Sequence, residues 1–155
     1  NHTLGFLRQR YEFILADLPP SLNEDNLTLI RDCDYLYIVT VAEVSAVRNV
    51  VRQMEYFAEK DIPKEKIRVV LNRYEKKNVI SDAQIEKALK QKIFWRVPNQ
   101  YPAVIKAIHE GDPVAQLSSS EVTRSMEEWA ERVGKKPGTE IKREKSGGLL
   151  GFWNR

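Results

Sequence analysis

The 155-residue sequence has one cysteine, two histidines and no long apolar run. Cys33 has no partner for an internal disulfide and stands in a polar stretch ahead of an apolar one, the setting of an inert thiol rather than a nucleophile. No stretch approaches the roughly 18 apolar residues of a membrane-crossing helix. Residues 1–10 carry neither the apolar segment nor the small-residue cleavage site of a secretory signal, so a cytoplasmic location follows by default. The glycines are scattered, and none belongs to a glycine-rich, lysine-bearing loop of the kind that cradles phosphates. No Ser/His/Asp arrangement, metal-ligand spacing or internal repeat is present.

What the chain does have is 42% apolar content, enough for a core of ordinary size at a length that favours one domain. Its net charge of +3 is unevenly placed: from Gly134 onward six basic residues and two acids make the tail +4, leaving −1 for everything before it. A near-neutral body argues against a broad nucleic-acid footprint on the folded part.

Apolar runs of strand length alternate with segments of helical period, the pattern of repeated βαβ units and a mostly parallel sheet with helices on both faces. Strands are expected at Phe13–Ala16, Tyr35–Thr40, Ile67–Leu71 and Phe94–Val97. Helices are expected at about Glu24–Arg31, Val44–Glu59, Ser81–Lys90, Ala103–His109 and Ser120–Val133. Ser81 and Ser120 each precede an amphipathic segment and supply N-cap signals. "TLGFLRQR" has the character of the last turns of a helix, so the sheet is expected to be incomplete at its amino-terminal side. After Val133 the segment "GKKPGTEIKREKSGG" is charged and rich in Gly and Pro, a flexible linker. The organisation expected is therefore a domain over 1–133, a linker over 134–148 and an apolar end over 149–155.

Three strand ends carry polar groups suited to chemistry. "FILADLPPSL" ends a run in Asp17, "VVLNRYEKK" places Asn72 and Arg73 after another, and "WRVPNQYPAV" places Pro98 and Asn99 after a third. With parallel strands all three lie on the carboxyl edge of the sheet, where ligands gather. An acid there suits a magnesium ion held through water beside phosphates. The Asn72 amide has the donor and acceptor that an adenine edge needs, and Pro98-Asn99 suits the far wall of a base pocket. The plainer readings are a solvated acid before a turn for Asp17 and a turn former for Asn72. For Glu43 and Arg48 a surface pair on one helix is expected, for His109 a favourable place at a helix C-terminus, and for Met126 and Trp129 a place in the core.

Taken together, these stretches resemble the MinD/ParA-type deviant-Walker P-loop ATPases. "TVAEVSAVRNVVRQMEYF" looks like the strand-to-helix passage of MinD-like proteins, and "DLPPSL" is similar to the D-x-P-x-x strand end of the CpaE/TadZ branch that serves Flp (Tad) pilus assembly. "LNRY" and "VPNQYPAV" resemble the base-binding strand ends of that branch. Gln100 stands where the branch often has an acid. The resemblance covers about Leu7 to Val133 and implies a P-loop NTPase (MinD-like) fold, incomplete at the N-terminus because the phosphate loop is missing. It implies Asp17 as the Walker-B or switch-II-like acid and indirect magnesium ligand, with Asn72, Arg73, Pro98 and Asn99 around the base. It also implies a parent protein that binds ATP and magnesium and switches as a homodimer. This chain alone is expected to hold neither ligand and to hydrolyse no ATP, since nothing in it cradles a triphosphate.

The tail adds one more expectation. MinD-type proteins often end in a short basic and apolar segment that enters a membrane surface, and "KREKSGGLLGFWNR" is similar in composition. Leu149, Leu150, Phe152 and Trp153 would enter the interface while Lys142, Arg143, Lys145 and Arg155 are drawn to anionic lipid, each by about 1 kcal/mol. A disordered end, or one that docks on its own body, fits the same residues. The function expected is therefore part of a nucleotide-switched positioning or pilus-assembly ATPase. A non-catalytic scaffold of the same fold that recruits pilus or polar proteins is the alternative, and a ParA-like DNA partner is a third that the charge distribution disfavours.

Overall fold

The computed structural model describes residues 2–20, 23–111 and 120–134. The chain divides after Arg96 into two compact units, 1–96 and 97–155.

The first unit is an α/β layer. It contains α1 (His2–Arg8), α2 (Glu24–Asp32), β1 (Leu36–Thr40), α3 (Val44–Glu59), a 3-10 turn at Lys64–Lys66, β2 (Ile67–Tyr74), α4 (Asp82–Leu89) and most of β3 (Ile93–Pro98). The three strands form one parallel sheet in the order β1-β2-β3. β1 and β2 are in register from Leu36 opposite Ile67 to Thr40 opposite Leu71. Successive residues of a strand face opposite sides, so Leu36 and Ile38 share a face with Ile67, Val69 and Leu71, while Tyr37 and Arg68 share the other.

The first face carries the two apolar clusters, and Val70 on the second face is fully buried as well. Val47, Val50, Val51, Met54 and Phe57 recur at helical spacing along α3. Val47 and Val50 join Val69, Leu71, Ile93 and the α4 residues Ile85 and Leu89 in one cluster, and Phe57 joins Leu27, Ile30, Ile62 and Ile67 in a second. Helix starts follow their capping residues. Asn23 accepts the Asn26 N–H at 2.8 Å, and Ser81 and Gln84 form a reciprocal capping box at the start of α4.

In the second unit α5 spans Tyr101–Glu110 and ends at Gly111, whose φ of +72° suits a residue with no Cβ. α6 spans Glu121–Gly134, with the Ser120 hydroxyl accepting the Thr123 N–H at 3.0 Å as its cap.

Expected and observed elements agree closely in this part of the chain, and α3 falls on the expected residues. The strand expected at Phe13–Ala16 is not formed. Residues 11–19 carry no strand, and Phe13 (53%) and Leu15 (89%) are exposed. An apolar run supplies side chains for burial, but a strand exists only through a ladder with a neighbour, and among the described residues the sheet ends at β1. Met126 also departs from expectation. Val122, Thr123 and Ser125 are the buried positions of α6, which leaves Met126 exposed and Trp129 half-buried. No ion pair joins Glu43 to Arg48 among the described residues; Glu43 is instead the N-cap of α3, without a side-chain cap bond.

Candidate functional site

The carboxyl end of β2 presents two of the expected residues. Val69, Val70 and Leu71 are fully buried, so the strand emerges from the core at Asn72, which is half-buried, and Arg73, which is exposed. The Asn72 Oδ1 accepts the backbone N–H of Arg73 at 2.8 Å. That leaves the two amide donors of Asn72 and a second oxygen lone pair for other contacts. Arg73 has φ +50°, the left-handed region that side chains with a Cβ rarely enter. His109 lies, as expected, in the last turn of α5.

A polar network, which periodicity did not reveal, adjoins this strand end. Tyr74, the last residue of β2, donates its hydroxyl to Asp82 Oδ2 at 3.4 Å. Arg96 of β3 donates to the same oxygen from Nε at 2.7 Å, with a terminal nitrogen also at 2.7 Å, and its guanidinium lies 5.7 Å from the Tyr74 ring centroid. A terminal nitrogen of Arg96 is 3.9 Å from Glu86 Oε1. Glu86 accepts from Lys92 Nζ at 2.7 Å and from the Ile93 N–H at 3.1 Å, and these two bonds hold its carboxyl below the usual glutamate range. The available sequence signal was an acid at the first position of α4 with a second one turn later, followed by an arginine on the next strand.

The remaining expected residues are placed separately. Asp17 is exposed in the irregular stretch before Pro19, not at the end of a paired strand. Pro98 closes β3 half-buried and Asn99 follows it exposed. Gln100, at the position that departs from the branch, is the N-cap of α5 and accepts the Val122 N–H of α6 through Oε1 at 3.0 Å. Leu149, Leu150, Phe152, Trp153, Lys142, Arg143 and Lys145 lie outside the described residues.

The two halves of a magnesium nucleotide make different demands on a site. Asn72 and Arg73 have the amide and guanidinium that a base edge would use. A triphosphate needs converging backbone N–H groups and lysine, and a magnesium ion needs several oxygen ligands. The chain has no glycine-rich loop, and no group of three or more His, Cys, Asp or Glu among the described residues is placed to hold a metal. Among the described residues, therefore, the phosphate and magnesium half of such a site is not assembled. A shallow open depression lined by Ala83, Glu86, Lys87, Lys90, Gln91 and Lys92 contains none of the expected residues. No helix among the described residues is long and apolar enough to cross a membrane.

The three-stranded parallel α/β sheet, with polar groups where its strands leave the core, matches part of the fold of MinD and ParA proteins, about half of each chain. Over most of its length the chain is structurally similar to MinD/ParA family ATPases. A ParA family ATPase from Chlorobium tepidum superposes with a TM-score of 0.77 at 22% identity, over 83% of this chain and 54% of that one. The MinC:MinD cell division complex of Aquifex aeolicus gives 0.74 at 21% identity, over 90% and 60%. The septum site-determining protein MinD of Pyrococcus horikoshii, complexed with Mg-ADP, gives 0.69 at 20% identity, over 86% and 55%. The chain thus spans between about half and three fifths of the length of these proteins. No family model and no curated protein sequence matches it.

Proposed function

We propose that this chain is the carboxyl-terminal part of a MinD/CpaE-like ATP-binding protein that works as a nucleotide-switched dimer in Flp/Tad pilus assembly or in polar or septal positioning. The observation that carries the reading is the amide-guanidinium pair, Asn72 and Arg73, at the end of β2 in a fold shared with about half of each MinD/ParA chain compared. In this reading Asn72, Arg73, Pro98 and Asn99 surround the base. Asp17 is the Walker-B or switch-II-like acid that holds magnesium through water, and the rest of the parent supplies the phosphate loop. The Mg-ADP in the Pyrococcus horikoshii protein and the MinC partner in the Aquifex aeolicus complex support an ATP-dependent switch that recruits other proteins. The parent acts in the cytoplasm, at the inner face of the membrane when two tails on one dimer bind together through effective concentration.

The test starts with the coding sequence upstream of Asn1, followed by ATP hydrolysis by the longer protein. An in-frame glycine loop with its lysine is expected, together with a loss of about 100-fold or more in turnover for Asp17→Asn, the scale seen when a charge-stabilising group is removed from a preorganised site. A native start just before Asn1 would overturn the ATPase reading in favour of the scaffold, which would then bind a partner protein without ATP. Equal pelleting with anionic liposomes, with and without residues 146–155, would remove the membrane role of the tail.

A further inference from the structure

A residue with a Cβ stays in the left-handed region only where its surroundings over-determine it. At Arg73 those surroundings are identifiable. On the amino side, the Asn72 side chain holds the Arg73 N–H. On the carboxyl side, Tyr74 packs against the core cluster of Val69, Leu71 and Ile85 while its hydroxyl reaches Asp82. Asp82 is in turn fixed by the Arg96 fork, and Arg96 covers the Tyr74 ring. One arginine therefore touches both the ring that follows Arg73 and the carboxylate that receives the hydroxyl of that ring.

The ion pair is a poor device for stability alone. The Arg96 and Asp82 side chains are 36% and 31% exposed, and pairs with that access to solvent contribute little to folding. What an arginine adds that a lysine does not is a rigid planar fork that also stacks on an aromatic face. Geometry, more than energy, is what this site gains from Arg96.

We propose that Arg96 is a positioning residue for the base-side edge: through Asp82 and Tyr74 it sets the end of β2 so that the Asn72 amide and the Arg73 guanidinium face an adenine base in one arrangement. The assignment of a base to that edge rests on the function proposed above; the setting of the strand end does not. Arg96 itself touches no ligand.

The experiment is amide-resolved NMR of the 155-residue chain, comparing the wild type with Arg96→Lys and Tyr74→Phe, first free and then titrated with adenosine. In both variants, exchange of the Arg73 and Tyr74 amides rises about tenfold, while amides in β1 and α3 keep their protection, as expected of a local opening. Arg96→Lys keeps the charge, so a purely electrostatic role would leave these amides unchanged. Unchanged exchange at Arg73 and Tyr74, or a uniform rise that includes β1 and α3, overturns the proposal. In the adenosine arm, shifts of the Asn72 side-chain amide in the wild type that weaken in Arg96→Lys support it. No shift in the wild type overturns the base-site reading, while the exchange arm still decides whether Arg96 sets the strand end.

Discussion

The Arg68 guanidinium stacks over the ring of Tyr35 at 5.0 Å from its centroid, and lies 5.8 Å from that of Phe94. The Tyr37 ring meets Phe94 edge-on at 5.6 Å and lies 6.3 Å from Tyr35. The sheet face shared by Tyr37 and Arg68 thus holds a cation against two rings, with a third packed beside them. A partly desolvated cation-π contact contributes about 1 kcal/mol. Arg68→Ala is expected to lower unfolding stability by about that amount. Urea denaturation checks it, and an unchanged midpoint would show the stack to be energetically idle.

Leu71 is fully buried between α3 and α4, in the cluster that also holds Val47, Val50 and Ile85. Leu71→Ala removes its transfer energy and leaves a cavity, at an expected cost of about 2–5 kcal/mol. The same denaturation measurement applies. A loss below about 1 kcal/mol would mean that the cluster collapses to fill the space.

Glu86 titrates below the ordinary glutamate range because Lys92 and the Ile93 N–H bind its ionised form. A carboxyl with a lower value folded than unfolded contributes stability that is fully present above the unfolded value, about pH 4.3. That stability is lost as pH falls through the folded value. The difference in urea midpoint between wild type and Glu86→Gln should be largest near neutral pH and shrink on acidification below about pH 4.3. A difference that stays constant with pH would refute the linkage.

Cys33 is half-buried, and its thiol donates to the Ile30 carbonyl at 3.2 Å. Burial pushes the thiol up from its ordinary value, in the direction that keeps it protonated and unreactive at neutral pH. Alkylation of the folded protein near pH 7 should be at least about tenfold slower than in denaturant, since the thiolate is the reacting form. Equal rates would mark Cys33 as an accessible, activated thiol.

The alternation of short apolar runs with amphipathic segments was enough to place β1 to β3 and α2 to α6, because buried parallel strands and one-sided helices impose different periods on the residues they bury. The polar residues at strand ends were legible for the same reason: Asn72 and Arg73 follow an apolar run that stops abruptly. Local chemistry read correctly at Ser81 and Ser120, where a side chain satisfies a helix's own N–H groups within three residues. Each of these features depends on neighbours close in the chain.

The features that no local pattern reveals depend on partners far apart in sequence. Phe13–Ala16 has the composition of a strand, yet no neighbour supplies its ladder among the described residues. Arg96 finds Asp82 fourteen residues earlier, and both meet at Tyr74. The left-handed turn of the backbone at Arg73 leaves no mark in residue type, since arginine has no preference for it. Periodicity reports which side of an element is apolar, whereas hydrogen-bond and ion-pair partners are set by where the chain brings its elements together.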